Sequence, residues 1–278
     1  MNRRYSRLRN NWSRVRRYPF AVPAALLLST YLLQGCAGTP QAVKGTQDPD
    51  VSRILASIET PQEELKTFRG IGNFKILRGG YVKAFRVVWI GSAPDNFRVE
   101  ALGPWGQPAL TLIVTESTYQ MRSRQDDGYF AGEATPKNLS RFTLVPVRAE
   151  DLFRLLSGKP PVLPFHDAKI QHAPTDGRWI LSLYKSWGRL IEKIWIEDDA
   201  ETVEQVDVFD GWGHLQYRVC FSDFHPSDSL LLPHVMVISD PSGPLWSLTV
   251  EKFWTRVSIP EGAYTLEKWD VTGMDLNS

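Results

Sequence analysis

The chain has 278 residues, 42% of them hydrophobic and 12% aromatic, which excludes intrinsic disorder and fits one large domain or two small ones. Its 32 lysines and arginines nearly balance 31 acids, but loss of residues 1–35 removes seven arginines and no acid, leaving 25 bases against 31 acids, a net of −6. An acidic body without a lysine-rich stripe excludes nucleic acid as a partner, because phosphate neutralisation supplies most of that affinity.

Residues 1–35 are expected to be a bacterial export signal. Arg3, Arg4, Arg7, Arg9, Arg14, Arg16 and Arg17 form its basic start, and an apolar run from Ala21 to Leu33 follows. That run is 13 residues long and interrupted by Pro23, short of the ~20 residues that cross a bilayer. Leu33-Gln34-Gly35-Cys36 resembles the lipobox of bacterial lipoproteins, in which the cysteine is acylated; Gln34 stands where a small residue is usual. The alternative is an ordinary secreted protein with Cys36 an incidental thiol. Two or more acyl chains make a stable anchor at ~0.8 kcal/mol per buried methylene. Ala37 stands where a signal for inner-membrane retention carries Asp, so resemblance to sorted lipoproteins implies the outer membrane of a Gram-negative bacterium, with the body facing the periplasm. An acylated Cys36 leaves Cys220 without a disulfide partner, and Cys220 reads as a small buried hydrophobe.

Residues 36–49, small and polar, read as a tether, and residues 50–278 as a single domain. Val51, Ile54, Leu55 and Ile58 share a helical face, and Thr60-Pro61-Gln62-Glu63 is a capping box, so two short helices or one broken helix open the domain. From Phe68 the period changes to two. Strands are expected at 68–77, 81–90, 97–102, 109–116, 118–123 and 128–131. Helical turns follow at 137–142 and 150–156, the second ending at Gly158 before Pro160-Pro161. Strands resume at 169–171, 178–184, 190–197, 202–209, 214–224, 230–238 and 245–257.

No helix separates successive strands, so the sheet is antiparallel, and its alternation requires one covered face. The fold class is therefore α+β, mainly β: a curved, half-open antiparallel barrel with a short helical lid over an apolar cavity. Phe74 on the first strand, Phe85, Val87 and Trp89 on the second, Phe97 and Val99 on the third, and Leu110 and Leu112 on the fourth are the wall residues, with Leu152 and Leu155 on the lid. Pattern alone does not separate such a cavity from a solid core.

Catalytic patterns are absent. There is no GxSxG, and Gly70-Ile71-Gly72 and Gly211-Trp212-Gly213 lack a third glycine and read as strand ends or turns. His166, His172, His214, His225 and His234 show no zinc spacing. Asp126-Asp127 and Asp198-Asp199 fall in turn-like stretches. Neither enzyme activity, a metal nor a cofactor is expected. The loop Gly103-Pro104-Trp105-Gly106 is different, because its indole has little local structure to cover it; either it enters a membrane interface or it folds back on the sheet end.

The runs 65–74, 81–89 and 97–106, and Glu150-Asp151-Leu152-Phe153-Arg154-Leu155-Leu156-Ser157-Gly158, resemble the LolB family of outer-membrane lipoprotein receptors within the LolA/LolB lipoprotein-sorting group. The resemblance covers about residues 50–165. It implies a half-barrel that holds the acyl chains of a client lipoprotein, a periplasmic LolA-type carrier as partner, and a protruding apolar residue that enters the membrane, here Trp105. The C-terminal part departs from the family, with additional strands such as 245–257 and an aromatic tip at Trp212. The expected function is a lipid-anchored receptor that accepts a lipoprotein or other acylated amphiphile and delivers it to the outer membrane. The alternative is a closed-core assembly lipoprotein acting through protein contacts.

Overall fold

The structure, a computed structural model, describes residues 49–59, 65–78, 80–124, 128–173, 177–197, 202–227 and 230–266, all within the unit Ala42–Ser278. Cys36, the signal segment and the tether up to residue 48, the 60–63 capping box and the two acid pairs lie outside the described residues.

Helix α1 (Pro49–Glu59) opens the domain. Strands β1 (Thr67–Arg78), β2 (Tyr81–Ser92), β3 (Asn96–Leu102), β4 (Pro108–Thr115), β5 (Thr118–Ser123) and β6 (Gly128–Glu133) follow as a meander. Helices α2 (Pro136–Thr143) and α3 (Ala149–Leu156) lead to β7 (Asp167–His172), β8 (Trp179–Lys185), β9 (Arg189–Ile196), β10 (Val203–Phe209), β11 (Leu215–Ser227), β12 (Leu230–Asp240) and β13 (Gly243–Thr255). All join one antiparallel sheet in the order β6-β5-β4-β3-β2-β1-β13-β12-β11-β10-β9-β8-β7. It is open, with β6 and β7 at its edges, and forms the half-barrel expected from sequence, with the helices as its lid. The expected C-terminal addition is corrected here. Strand β13 is the middle strand, pairing with β1 on one side and β12 on the other, and it joins the two meanders.

The helices form for local reasons. Thr135 caps α2, its Oγ1 accepting the Asn138 N–H at 3.3 Å, and Pro136 supplies a preset first position. Helix α3 carries Glu150 and Asp151 in its first turn and closes with the Lys159 N–H donating to the Arg154 carbonyl at 2.8 Å. Leu152, Phe153, Leu155 and Leu156 then face the sheet, as do Val51, Ile54, Leu55 and Ile58 of α1.

Gly70 and Gly72 lie inside β1, not at a strand end as expected. Register places Gly70 opposite Trp89 and Gly91 opposite Phe68. Each aromatic ring occupies the space beside the glycine, so a Cβ on Gly70 would stand 2.1 Å from the Trp89 ring and one on Gly91 2.3 Å from Phe68. Gly72 sits at the bulge where β1 shifts register against β13, and a Cβ there would stand 2.3 Å from the Thr249 carbonyl. Glycine is required in the strand because its neighbours fill the space of a side chain.

The segment after β13 turns back over the outer face. Arg98 on β3 donates to the Ala263 carbonyl at 3.0 Å and Tyr264 donates to Ser92 Oγ at 2.9 Å. Ile113, on that outer face, is fully buried.

Candidate functional site

The inner face of the sheet and the lid make the site, and the residues expected to line it converge there. Val87, Trp89, Phe97, Leu112, Leu152 and Leu155 are buried in one apolar cluster, and Phe74, Phe85, Val99 and Leu110 are half-buried against it. Burial changes along the strands. Phe68, Trp89, Phe97 and Val114, near one rim, are covered; Phe74, Phe85, Ala101 and Leu110, near the other, are half-open. At that second rim a pocket of about 560 Å³ lies between the end of α2 and the β12–β13 turn, lined by Leu77, Leu144, Pro244 and Leu245 together with Arg141 and Asp240. The apolar wall is thus fully covered near one rim and half-exposed near the other, beside this pocket.

Two indoles fasten the lid. Trp89 Nε1–H donates to the Leu156 carbonyl at 2.9 Å, and Trp246 Nε1–H to the Thr143 carbonyl at 2.7 Å. These are the last residues of α3 and α2, so each helix end finds on the sheet a donor for a carbonyl left open by its last turn. Arg154 links three segments, donating to the carbonyls of Ile58 at 3.0 Å and Pro160 at 2.7 Å.

Beneath α3 lies a polar cluster that the sequence does not announce. Arg148 grips the fully buried Asp151 with two bonds of 2.6 and 2.7 Å, and burial raises the Asp151 carboxyl while Arg148 pulls it down. Glu192, inward-facing on β9, accepts the Leu163 N–H through Oε2 at 2.8 Å, and its Oε1 has no partner. Burial pushes Glu192 up to about 8, against the pull of Leu163, Arg148 and Arg154, so it is largely protonated at neutral pH. Lys159 is lowered to about 8 by burial and by Arg154, and burial beside Asp151 and Glu192 raises the Tyr217 hydroxyl. The cluster holds the segment after α3 against β9. It contains no nucleophile aligned with a base.

Trp105 is 90% exposed at the tip of the β3–β4 turn, which is closed by the Gly106 N–H to the Gly103 carbonyl at 2.9 Å and the Gly103 N–H to the Gln107 carbonyl at 2.8 Å. It does not fold back on the sheet. Two further tips carry exposed indoles, Trp187 between β8 and β9 and Trp212 between β10 and β11. Trp187 has φ +66°, a left-handed conformation that costs a bulky residue on the order of 1–2 kcal/mol and here gains no packing in return. Sequence reasoning missed Trp187, although a signal existed: Trp105-Gly106, Trp187-Gly188 and Trp212-Gly213 are the three Trp-Gly pairs of the chain.

The β11–β12 pairing also brings Asp223, His225 and His234 together, with ligand atoms within 4.8 Å of one another, a donor set suited to zinc. His225 Nε2 already pairs with Asp223 Oδ1 at 2.9 Å, and the two imidazoles stack at 4.2 Å. The sequence spacing hid this trio, since only the strand register unites it. Cys220, expected as a small buried hydrophobe, is half-buried, and burial raises its thiol.

No protein-family model and no curated protein matches the chain. Its fold is similar to solved structures. A LolA-superfamily protein from Nitrosomonas europaea superposes with a TM-score of 0.57 at 12% identity, over 77% of this chain and 97% of that one. A DUF1329-family protein from Desulfovibrio piger gives 0.56 at 13% identity, over 77% and 94%. A domain named for outer-membrane lipoprotein sorting, from Vibrio parahaemolyticus, gives 0.52 at 10%, again over 77% and 94%. At these identities the likeness is one of fold.

Proposed function

We propose that this chain is a non-enzymatic receptor that takes the acyl chains of a client lipoprotein between lid and sheet and releases them to the outer membrane. The observation that carries this reading is the burial gradient of the apolar wall, covered at one rim and half-exposed at the other beside the 560 Å³ pocket. The LolA-superfamily fold, and the name of the Vibrio neighbour, support lipid or lipoprotein as the client. In this reading residues 1–35 are removed, Cys36 is acylated, residues 36–49 tether the domain to the outer membrane, and a LolA-type periplasmic carrier hands over the client.

No bond is made or broken. An acyl chain enters past Leu77, Leu144 and Leu245, spreads α2 from β13, and replaces lid contacts on Phe74, Phe85, Val99 and Leu110. Each methylene that leaves water gains about 0.8 kcal/mol, so a chain recovers much of what parting the lid costs. Release follows where a bilayer offers the chain an equal environment, and direction comes from relative affinity along the series of carrier, receptor and membrane. Trp105 brings the mouth of the site to that bilayer.

Titration of the unit Ala42–Ser278 with an acyl chain bearing a polarity-sensitive fluorophore tests this reading. Saturable, blue-shifted binding that Leu110→Asp lowers at least about tenfold is expected from the burial of one apolar wall position. Wild-type protein that leaves the probe in water, or binding indifferent to Leu110→Asp, contradicts it.

A second reading is favoured by one observation. The two indole bonds and the buried wall residues make a solid core as it stands, which suits a closed assembly lipoprotein that works through protein contacts.

A further inference from the structure

Because every neighbouring pair in the sheet is antiparallel, the turns β1–β2, β3–β4, β5–β6, β8–β9, β10–β11 and β12–β13 all emerge at the same rim. Exposed aromatic residues gather there. Tyr81 is at the first turn, Trp105 at the second, Tyr129 at the third, Trp187 at the fourth and Trp212 at the fifth. Of the described residues, Leu231 alone among the exposed large apolar side chains lies at the opposite rim.

The tips are rigid. Trp105, Trp187 and Trp212 are each followed by a glycine with left-handed φ, of +79°, +68° and +86°. Asp210 Oδ1 accepts the N–H groups of Trp212 at 2.8 Å and His214 at 2.9 Å, clamping that turn with its indole 89% exposed. The other described tryptophans, in β2, β8, β9 and β13, are buried or half-buried. A large ring held outward on a closed turn presents apolar area at little entropic cost when it meets an interface.

Exposed cations lie at the same rim. Lys83, Arg124, Lys185 and Arg189 are exposed beside the aromatic tips, while Asp210 and Asp240 are engaged in capping their own turns. At the opposite rim Asp95, Glu116 and Glu150 lie close enough that the last two raise the Asp95 carboxyl, after burial. Exposed cations thus accompany the aromatic tips, whereas the opposite rim mixes these acids with the exposed Lys66, Arg69 and Arg256. Exposed indoles beside exposed cations match the interfacial layer of a bilayer containing anionic lipid, where indoles sit at headgroup depth and cations meet phosphate.

We propose that the whole tryptophan rim is a docking surface for an anionic phospholipid bilayer, with Trp187 and Trp212 entering beside Trp105. The proposal shares Trp105 with the receptor reading but stands on the rim and needs no client. Docking there places the pocket mouth between α2 and the β12–β13 turn at the bilayer surface.

The test mixes the unit Ala42–Ser278, which holds every described element and lacks Cys36, with vesicles of phosphatidylethanolamine and phosphatidylglycerol. Co-sedimentation and quenching of tryptophan emission by brominated lipid are followed. Wild type is expected to bind, more weakly as salt rises, and Trp187→Ser and Trp212→Ser are each expected to lower partition by about tenfold with an unchanged Tm. Binding in these two variants equal to wild type, no quenching in wild type, or a fall in Tm showing that the rings pack on the fold would overturn the proposal. The fluorescent acyl probe is measured on the same proteins. In the wild type, acyl binding without vesicle docking counts against the rim alone, and vesicle docking without acyl binding counts against the receptor reading alone.

Discussion

Trp89 unites three functions in one side chain. Its ring covers Gly70, its Nε1–H caps α3, and its burial places it at the sealed end of the lid interface. Gly70→Ala therefore has to evict the ring and break the Leu156 bond, and a loss of about 3 kcal/mol is expected in denaturant unfolding. In a Trp89→Ala background the same substitution should cost well under half as much, because the clash is gone. Equal costs in both backgrounds would show that the glycine serves something other than the indole. From sequence, Gly70 and Gly72 look like strand punctuation, since a glycine's own propensity is against a strand; what overrides it at Gly70 is Trp89, directly opposite on β2 but 19 residues away in chain, and at Gly72 the backbone of β13. Trp105 was legible for the opposite reason, because a Gly-Pro-Trp-Gly turn cannot cover its own ring.

At the scale of elements, α3 and the segment following it are held by buried polar groups as well as by leucines. Glu192 lies on the inward phase of β9 with Ile194 and Ile196, so its carboxyl is dry and its pKa stands at about 8, against 4.5 for an ordinary carboxyl. The unfolded chain releases this proton as pH rises through about 4.5, and the folded chain holds it until about 8. Stability from this group is therefore full at low pH and declines across that window. The Tm of the wild-type unit should fall between pH 5 and pH 8 by more than that of Glu192→Gln, whose amide keeps an acceptor for the Leu163 N–H and has no proton to lose. Parallel pH profiles for the two proteins would contradict the assignment. The strands and the two later helices were legible from period and turn residues, since those are local. Glu192 and Asp151 were not: an acid in a strand or in a helix's first turn reads as surface until the element packed on it is known. Likewise Asp223, His225 and His234 needed the β11–β12 register.

Over the whole domain, the sheet's direction organises what the separate elements carry. Antiparallel order sends alternate turns to opposite rims, and the strand count puts every Trp-Gly turn on the same one, which also carries the pocket beside α2. The half-barrel and its covered face followed from alternation and from the absence of βαβ spacing. That β13 joins the two meanders did not, because long-range pairing of the last strand with the first leaves no local mark. Function at this scale turns on whether the lid admits a ligand. Native mass spectrometry of the unit Ala42–Ser278, exported to and purified from a Gram-negative periplasm, measures this directly. A population carrying non-covalently bound acylated lipid or lipoprotein is the expected result; a single apo mass that stays unchanged when acylated lipid is added would contradict the receptor and leave a closed, partner-binding domain.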